Sequence, residues 1–280
     1  MGAFGLIIFI FKLLHYWDNK MSKNDVVHQQ SIHHARVIDC NKVSYLAPFH
    51  WLSLASKDFI ATPLLSLIYG VLFSVLPMMI LILFTVAPMS MQVIPLVVGF
   101  ALIGPVFSTG LYDLAWALEK GQIPTFSHSM KVMFSNQDGL QGFSIALLFI
   151  LTLWTLIAGL IFTLYPNMNS PTVMELSVFF GLGAMIAGIL LFIVLVIAAF
   201  TPQIILERKI DIMTAIFTSA NAVKVNFGVM CLWSGIMLLF GMIGLLTSAI
   251  AFVVILPLLS FASWHAYIAV IKTKKARDFE

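Results

Sequence analysis

The sequence predicts an all-α membrane protein: a polytopic bundle of six transmembrane helices arranged as three hairpins, each preceded by an amphipathic cytoplasmic helix. Three observations predict it. Apolar residues make up 61% of the 280 residues and charged residues only 10%, with a mean hydropathy of +1.03, whereas soluble domains carry ~25% charged residues. Leu64–Val86, LLSLIYGVLFSVLPMMILILFTV, is 23 residues without a charge, enough to cross a hydrocarbon core ~30 Å thick. Further stretches of the same kind follow, and the basic residues fall on one side of the resulting topology.

The first 43 residues read as an N-terminal cytoplasmic or interfacial tail, partly disordered. Gly2–Phe11 is an apolar run too short to span. Its basic residues, Lys12 and Lys20, follow the apolar run instead of preceding it, and no small-residue cleavage site appears, so it does not read as a signal peptide. It is either an interfacial helix or upstream of a true start at Met21. Residues 21–43 are polar, with His28, His33, His34 and Cys40. Nothing there fixes the ligand geometry a metal needs, so a solvated tail is expected and no metal site.

The membrane domain covers residues 44–271. Ser44–Phe59 places Trp51, Leu52, Leu54, Ala55 and Phe59 at helical spacing, which predicts a short amphipathic helix in the headgroup layer with Trp51 as an interface anchor. Thr62-Pro63 opens span one, Leu64–Val86, because proline is tolerated in the first helical turn. Ser66, Gly70 and Ser74, four apart, form a small-residue stripe suited to helix packing, and Pro77 predicts a kink. Span two is Gln92 to about Leu114, with Gly104 and Gly110 as packing positions and a second kink at Pro105. Trp116–Asp138 is predicted to hold a second interfacial helix. Span three is Gln141–Tyr165 and span four Leu176–Phe200, the latter with Gly181, Ala184 and Gly188 as contact positions. Pro202–Val225 is amphipathic again.

Asn226–Val270 is 45 residues without a formal charge. As one helix it would be ~68 Å long, over twice the bilayer core. It must turn, and the break is placed near Thr247-Ser248, giving spans Phe227–Leu246 and Ala249–Ile271. Residues 272–280 are a basic C-terminal tail. Three similar units therefore begin near Ser44, Trp116 and Gln203, and Lys57, Lys131 and Lys224 each lie just ahead of the first span of a unit.

With six spans both termini share a side. Placing them in the cytoplasm puts all 15 Lys and Arg there and leaves none in the outer turns, as the positive-inside rule requires. The predicted location is a bacterial cytoplasmic (inner) membrane, N-in and C-in. Cys40 and Cys231 fall on a tail and a span, so no disulfide is expected. The basic balance belongs to a membrane surface, and no nucleic-acid partner is expected.

Function is far less legible. Pumps and ion-coupled carriers bury ionisable residues within their spans, and no predicted span carries one near its centre. No catalytic residues, cofactor motif or haem-ligand pattern is found. His265 lies in Trp264-His265-Ala266-Tyr267, a position suited to interface anchors. One candidate polar site remains: Asp58, Asp113, Glu119, Glu207, Asp211 and Asn221 are all placed to meet at a cytoplasmic mouth between the hairpins.

Gly104-Pro105-Val106-Phe107, Gly110-Leu111-Tyr112-Asp113 and Glu119-Lys120-Gly121 resemble a motif of a bacterial family of six-span integral membrane proteins, a domain-of-unknown-function family. The ending Pro257–Tyr267 and the opening Trp51-Leu52, Asp58-Phe59, Pro63 and Ser66–Gly70 fit the same pattern. Ser260 stands where the pattern has Gly, and Ile268 where it has Arg. Some relatives carry the label cytochrome c oxidase subunit I. That label finds no chemical support here, since the oxidase core needs intramembrane histidines. The resemblance implies an inner-membrane protein. The expected role is a non-enzymatic accessory, assembly or partner-binding protein, with membrane lipids and another membrane protein or respiratory complex as partners. The alternative is a carrier for an apolar or lipid-like substrate, to which Pro77, Pro105 and the glycines would lend mobility.

Overall fold

The computed structural model describes residues 37–86, 104, 108–134, 138–163 and 172–272. The tail up to residue 36, residues 87–91, most of the second predicted span with Pro105, residues 164–171 and the tail beyond 272 lie outside the described residues. Among those described, the chain forms ten helices: α1 (Ala47–Ala61), α2 (Pro63–Val86), α3 (Thr109–Glu119), α4 (Phe126–Phe134), α5 (Asp138–Thr163), α6 (Val173–Ala198), α7 (Thr201–Arg208), α8 (Ile212–Val225), α9 (Phe227–Leu246) and α10 (Phe252–Val270). The protein is all-helical, and five of these helices, α2, α5, α6, α9 and α10, are long and apolar enough to cross a membrane.

Their bounds lie within a few residues of the predicted spans. The uncharged run of 45 residues turns where length required. Thr247–Ala251 separates α9 from α10, with Ser248 and Ala249 at φ 54° and 70°. Ala249 N–H donates to Gly244 O at 2.8 Å and Ser248 N–H to Leu245 O at 3.0 Å, the paired bonds of a Schellman cap. A side chain at Gly244 would overlap the Phe252 ring, so this glycine lets the hairpin close.

α10 is the centre of the bundle. Phe261, Ala262, Trp264, Ala266, Tyr267 and Val270 are buried on all sides of its C-terminal half, because α1, α2, α3 and α9 pack round it. The stripe on α2 makes the closest approach. Ser66 and Ser74 are buried, and a methyl at Gly70 would overlap the backbone carbonyl of Val253. α2 continues as one helix through Pro77.

Several expectations change once neighbours are known. α1 forms as predicted but is packed against α10, with Trp51 1% exposed and edge-on to Trp233 at 5.7 Å. Trp264 and Tyr267 are likewise buried in the protein, so these three rings do not face headgroups. α3 continues to Glu119, five residues past the predicted end of span two, and closes on Gly121 at φ 66°; a loop then leads to α4. Pro202–Val225 is two helices, α7 and α8, split by left-handed Lys209 and by Asp211, which caps Thr214 N–H at 2.8 Å. On α6, Gly181 and Gly188 meet nothing within 4 Å and Ala184 is exposed. That predicted contact stripe therefore faces outward, and a Cβ at Gly104 likewise meets nothing within 4 Å.

Residues 37–43 are an ordered strap and not the solvated tail predicted for them. Cys40 forms an antiparallel bridge with Ile271; Asn41 N–H donates to Val270 O at 2.7 Å and Lys272 N–H to Asp39 O at 3.1 Å. Asn226 holds both edges of the strap, accepting from Val43 N–H and donating to Asn41 O, each at 2.9 Å.

Candidate functional site

The polar residues converge where α10 ends, and Trp264-His265-Ala266-Tyr267 collects them. Trp264 and Tyr267, three apart, share one side of the helix, while His265 is turned about 100° away. Trp264 Nε1–H donates to Glu119 Oε2 at 3.2 Å, reaching the end of α3. Tyr267 OH donates to Glu207 on α7. On the other side His265 Nε2 lies 2.7 Å from Asp58 Oδ2, tying in α1. Arg208 completes the set: its guanidinium donates to Lys272 O at 2.7 Å and to Tyr267 OH at 3.4 Å, and it lies 4.0 Å from Glu207.

A second pair joins α3 to α4. Asp113, only 5% exposed, lies 2.8 Å from His128 Nδ1. A carboxylate removed from water is costly without such a partner. Next to it, Tyr69 of α2 reaches Ser129 of α4 and seats its ring over Gly110, where a Cβ would come within 2.8 Å of the hydroxyl. Ser260 Oγ–H donates to Ser108 Oγ at 3.2 Å. Lys120 places its ammonium 3.1 Å above the Trp116 ring. Desolvation pushes that ammonium below the usual lysine range, and the charges of Asp113, Glu119 and Glu207 oppose the shift.

Of the six residues expected at a polar mouth, Asp58, Glu119 and Glu207 bond to the C-terminal part of α10, on different sides of it, and Asp113 bonds to α4. They act as acceptors that fasten α1, α3, α4 and α7 to one another and to α10. Asp211 is instead the N-cap of α8. Asn221 contacts Cys40 Sγ at 3.7 Å, on the strap; burial raises the Cys40 thiol above its usual range, and the Asn221 contact opposes this. The donors His128 and Arg208 and the cation of Lys120 were not foreseen at the site. Their only sequence signal was a position at a helix end, which solvated residues share. Among the described residues no group of three or more His, Cys, Asp or Glu is placed to hold a metal ion.

Long uncharged helices with their polar groups gathered at helix ends define a multi-pass α-helical integral membrane protein. Residues 93–207, which include α3 to α6 and most of α7, match the model of the family described as "Predicted integral membrane protein (DUF2189)". That description carries no oxidase label. No curated protein and no solved structure matches the chain.

Proposed function

We propose that this chain is a non-enzymatic, partner-binding protein of a bacterial inner membrane, crossing it six times with both termini in the cytoplasm, and that α5 and α6 form its docking arm. The observation that carries the docking role is uneven burial. α10 is mostly buried, whereas few residues of α5 and α6 are buried, and the Gly181, Ala184 and Gly188 stripe faces outward on α6. Small residues let a neighbouring helix backbone come close, which is what favours association where lipid removes the hydrophobic drive.

Connectivity supports six crossings. Tyr69, near the start of α2, packs on Gly110 of α3, while Val86 lies about 25 Å further along α2. That separation supports the reading of Gln92 to about Leu114 as a further span, which has the length to cover it. Gly139 of α5 abuts Ile205 and Ile210, and Ser219 of α8 donates to Val196 O of α6 at 2.9 Å, so α5 starts and α6 finishes at that same end. Lysines and arginines lie at this end, as expected of a cytoplasmic face.

The test is photo-crosslinking in membranes from probes at Ala184 and Gly188, with a probe at Leu72 on α2 as a control. Discrete protein adducts from the α6 positions support the docking arm. Adducts to lipid alone would overturn it and favour the apolar-substrate carrier.

A further inference from the structure

At the end of the bundle where α10 finishes, acids and lysines differ in exposure. Asp58, Asp113, Glu119 and Glu207 accept hydrogen bonds from His265, His128, Trp264 and Tyr267, and none of the four acids is exposed. The lysines at the same end point outward: Lys57, Lys131, Lys209, Lys224 and Lys272 are all exposed. Asp39 and Asp211 are exposed at this end too, but the exposed lysines outnumber them, so the outer surface carries net positive charge.

The lysines come with exposed apolar partners, and the pattern repeats. On α1, Lys57 and Ile60 are three apart; on α4, Lys131 and Phe134 are three apart; on α8, Phe217 and Lys224 are seven apart. Each spacing puts both residues on one helix face. Ile60 is 76%, Phe134 70% and Phe217 46% exposed. A solvated helix face has no need of a large apolar residue beside each lysine. A face seated at the boundary between headgroups and acyl chains does: the apolar side chain enters the leaflet and the lysine reaches back to the headgroups.

We propose that these three faces dock on anionic phospholipid headgroups of the leaflet at this end. The net positive surface selects acidic lipids over zwitterionic ones, and the repeated pairs hold α1, α4 and α8 along the membrane surface. This rests on the reading that the chain spans a bilayer with this end at one leaflet.

The test uses the full-length protein in zwitterionic detergent micelles and fluorescently labelled phosphatidylglycerol or phosphatidylcholine. Phosphatidylglycerol is expected to bind more tightly, with the preference lost in high salt. A juxtamembrane lysine near an acidic surface contributes about a fivefold change in affinity, so Lys57→Gln, Lys131→Gln and Lys224→Gln should each weaken phosphatidylglycerol by about that factor. The corresponding Arg variants should retain it, and Phe217→Ser should weaken both lipids. Equal binding of the two lipids by the unaltered protein, or full displacement of phosphatidylglycerol by millimolar inorganic phosphate, would overturn the proposal. A reporter after Asn169 tests the spanning arrangement separately, so the two failures are distinguishable.

Discussion

At the residue scale, the informative positions are those whose backbone or partner leaves few alternatives. Ser248 holds the left-handed position of the Schellman cap at φ 54°, where glycine carries no Cβ penalty. Ser248→Gly is expected to stabilise the α9–α10 hairpin by about 0.5–1 kcal/mol, and Gly121→Ala, at φ 66°, to destabilise by about 1 kcal/mol. Unfolding of both in mixed micelles checks the opposite signs. Asp211→Ala should cost about 1 kcal/mol through the lost cap, with Asp211→Asn recovering most of it; Asp211→Asn as damaging as alanine would refute the capping role. Cys40 gives a pH test. Its thiol is raised by burial and the thiolate is the reactive form. Maleimide labelling should therefore be slower than for a free thiol at pH 8, and its rise should be displaced to higher pH.

At the scale of elements, small residues do opposite things on two helices that look alike in sequence. Gly70→Leu should force α2 away from α10, because the obstruction is the Val253 backbone and backbone cannot rotate aside. A loss of at least 1–3 kcal/mol is expected, as for other overpacked interiors. Gly188→Ala, which meets open space, should stay within about 0.5 kcal/mol. Denaturation of the two variants side by side tests the difference, and equal losses would show that α6 is packed within the chain after all. Periodicity identified both stripes, yet only the fold shows that Ser66-Gly70-Ser74 faces a neighbour. The same holds for α1. Its helical spacing was readable, but Trp51 enters the protein because α10 lies beneath it. The acids and His265 could be placed at helix ends from the sequence. Their pairing could not, since Asp58 and His265 are more than 200 residues apart.

At the scale of the whole molecule, α10 is a post to which α1, α3 and α7 are fastened by carboxylate acceptors at one end, while α2 lies along its length. Trp264→Phe preserves the ring contact with Tyr267 but removes the N–H that reaches Glu119. A cost of about 1–2 kcal/mol is expected, with increased hydrogen exchange at the end of α3 as the specific readout. The strap at residues 37–43 closes the same end by joining the start of α9 to the exit of α10. Asn226→Leu removes bonds to Val43 and Asn41 together, so exchange should rise at both. Protection unchanged in the strap would show that other contacts hold it.

The sequence by itself determined the membrane-crossing helices, the turn at Thr247–Ala251 and the gathering of charge at helix ends. All three follow from local composition measured against a fixed bilayer thickness. Only the tertiary structure decided that α10 is central, that the α6 stripe faces outward, and that Asp58, Asp113, Glu119 and Glu207 are bonded within the bundle while the lysines turn out. Those outcomes depend on which helix stands beside which, and residues far apart along the chain settle them by packing and by the cost of leaving a buried carboxylate unpaired.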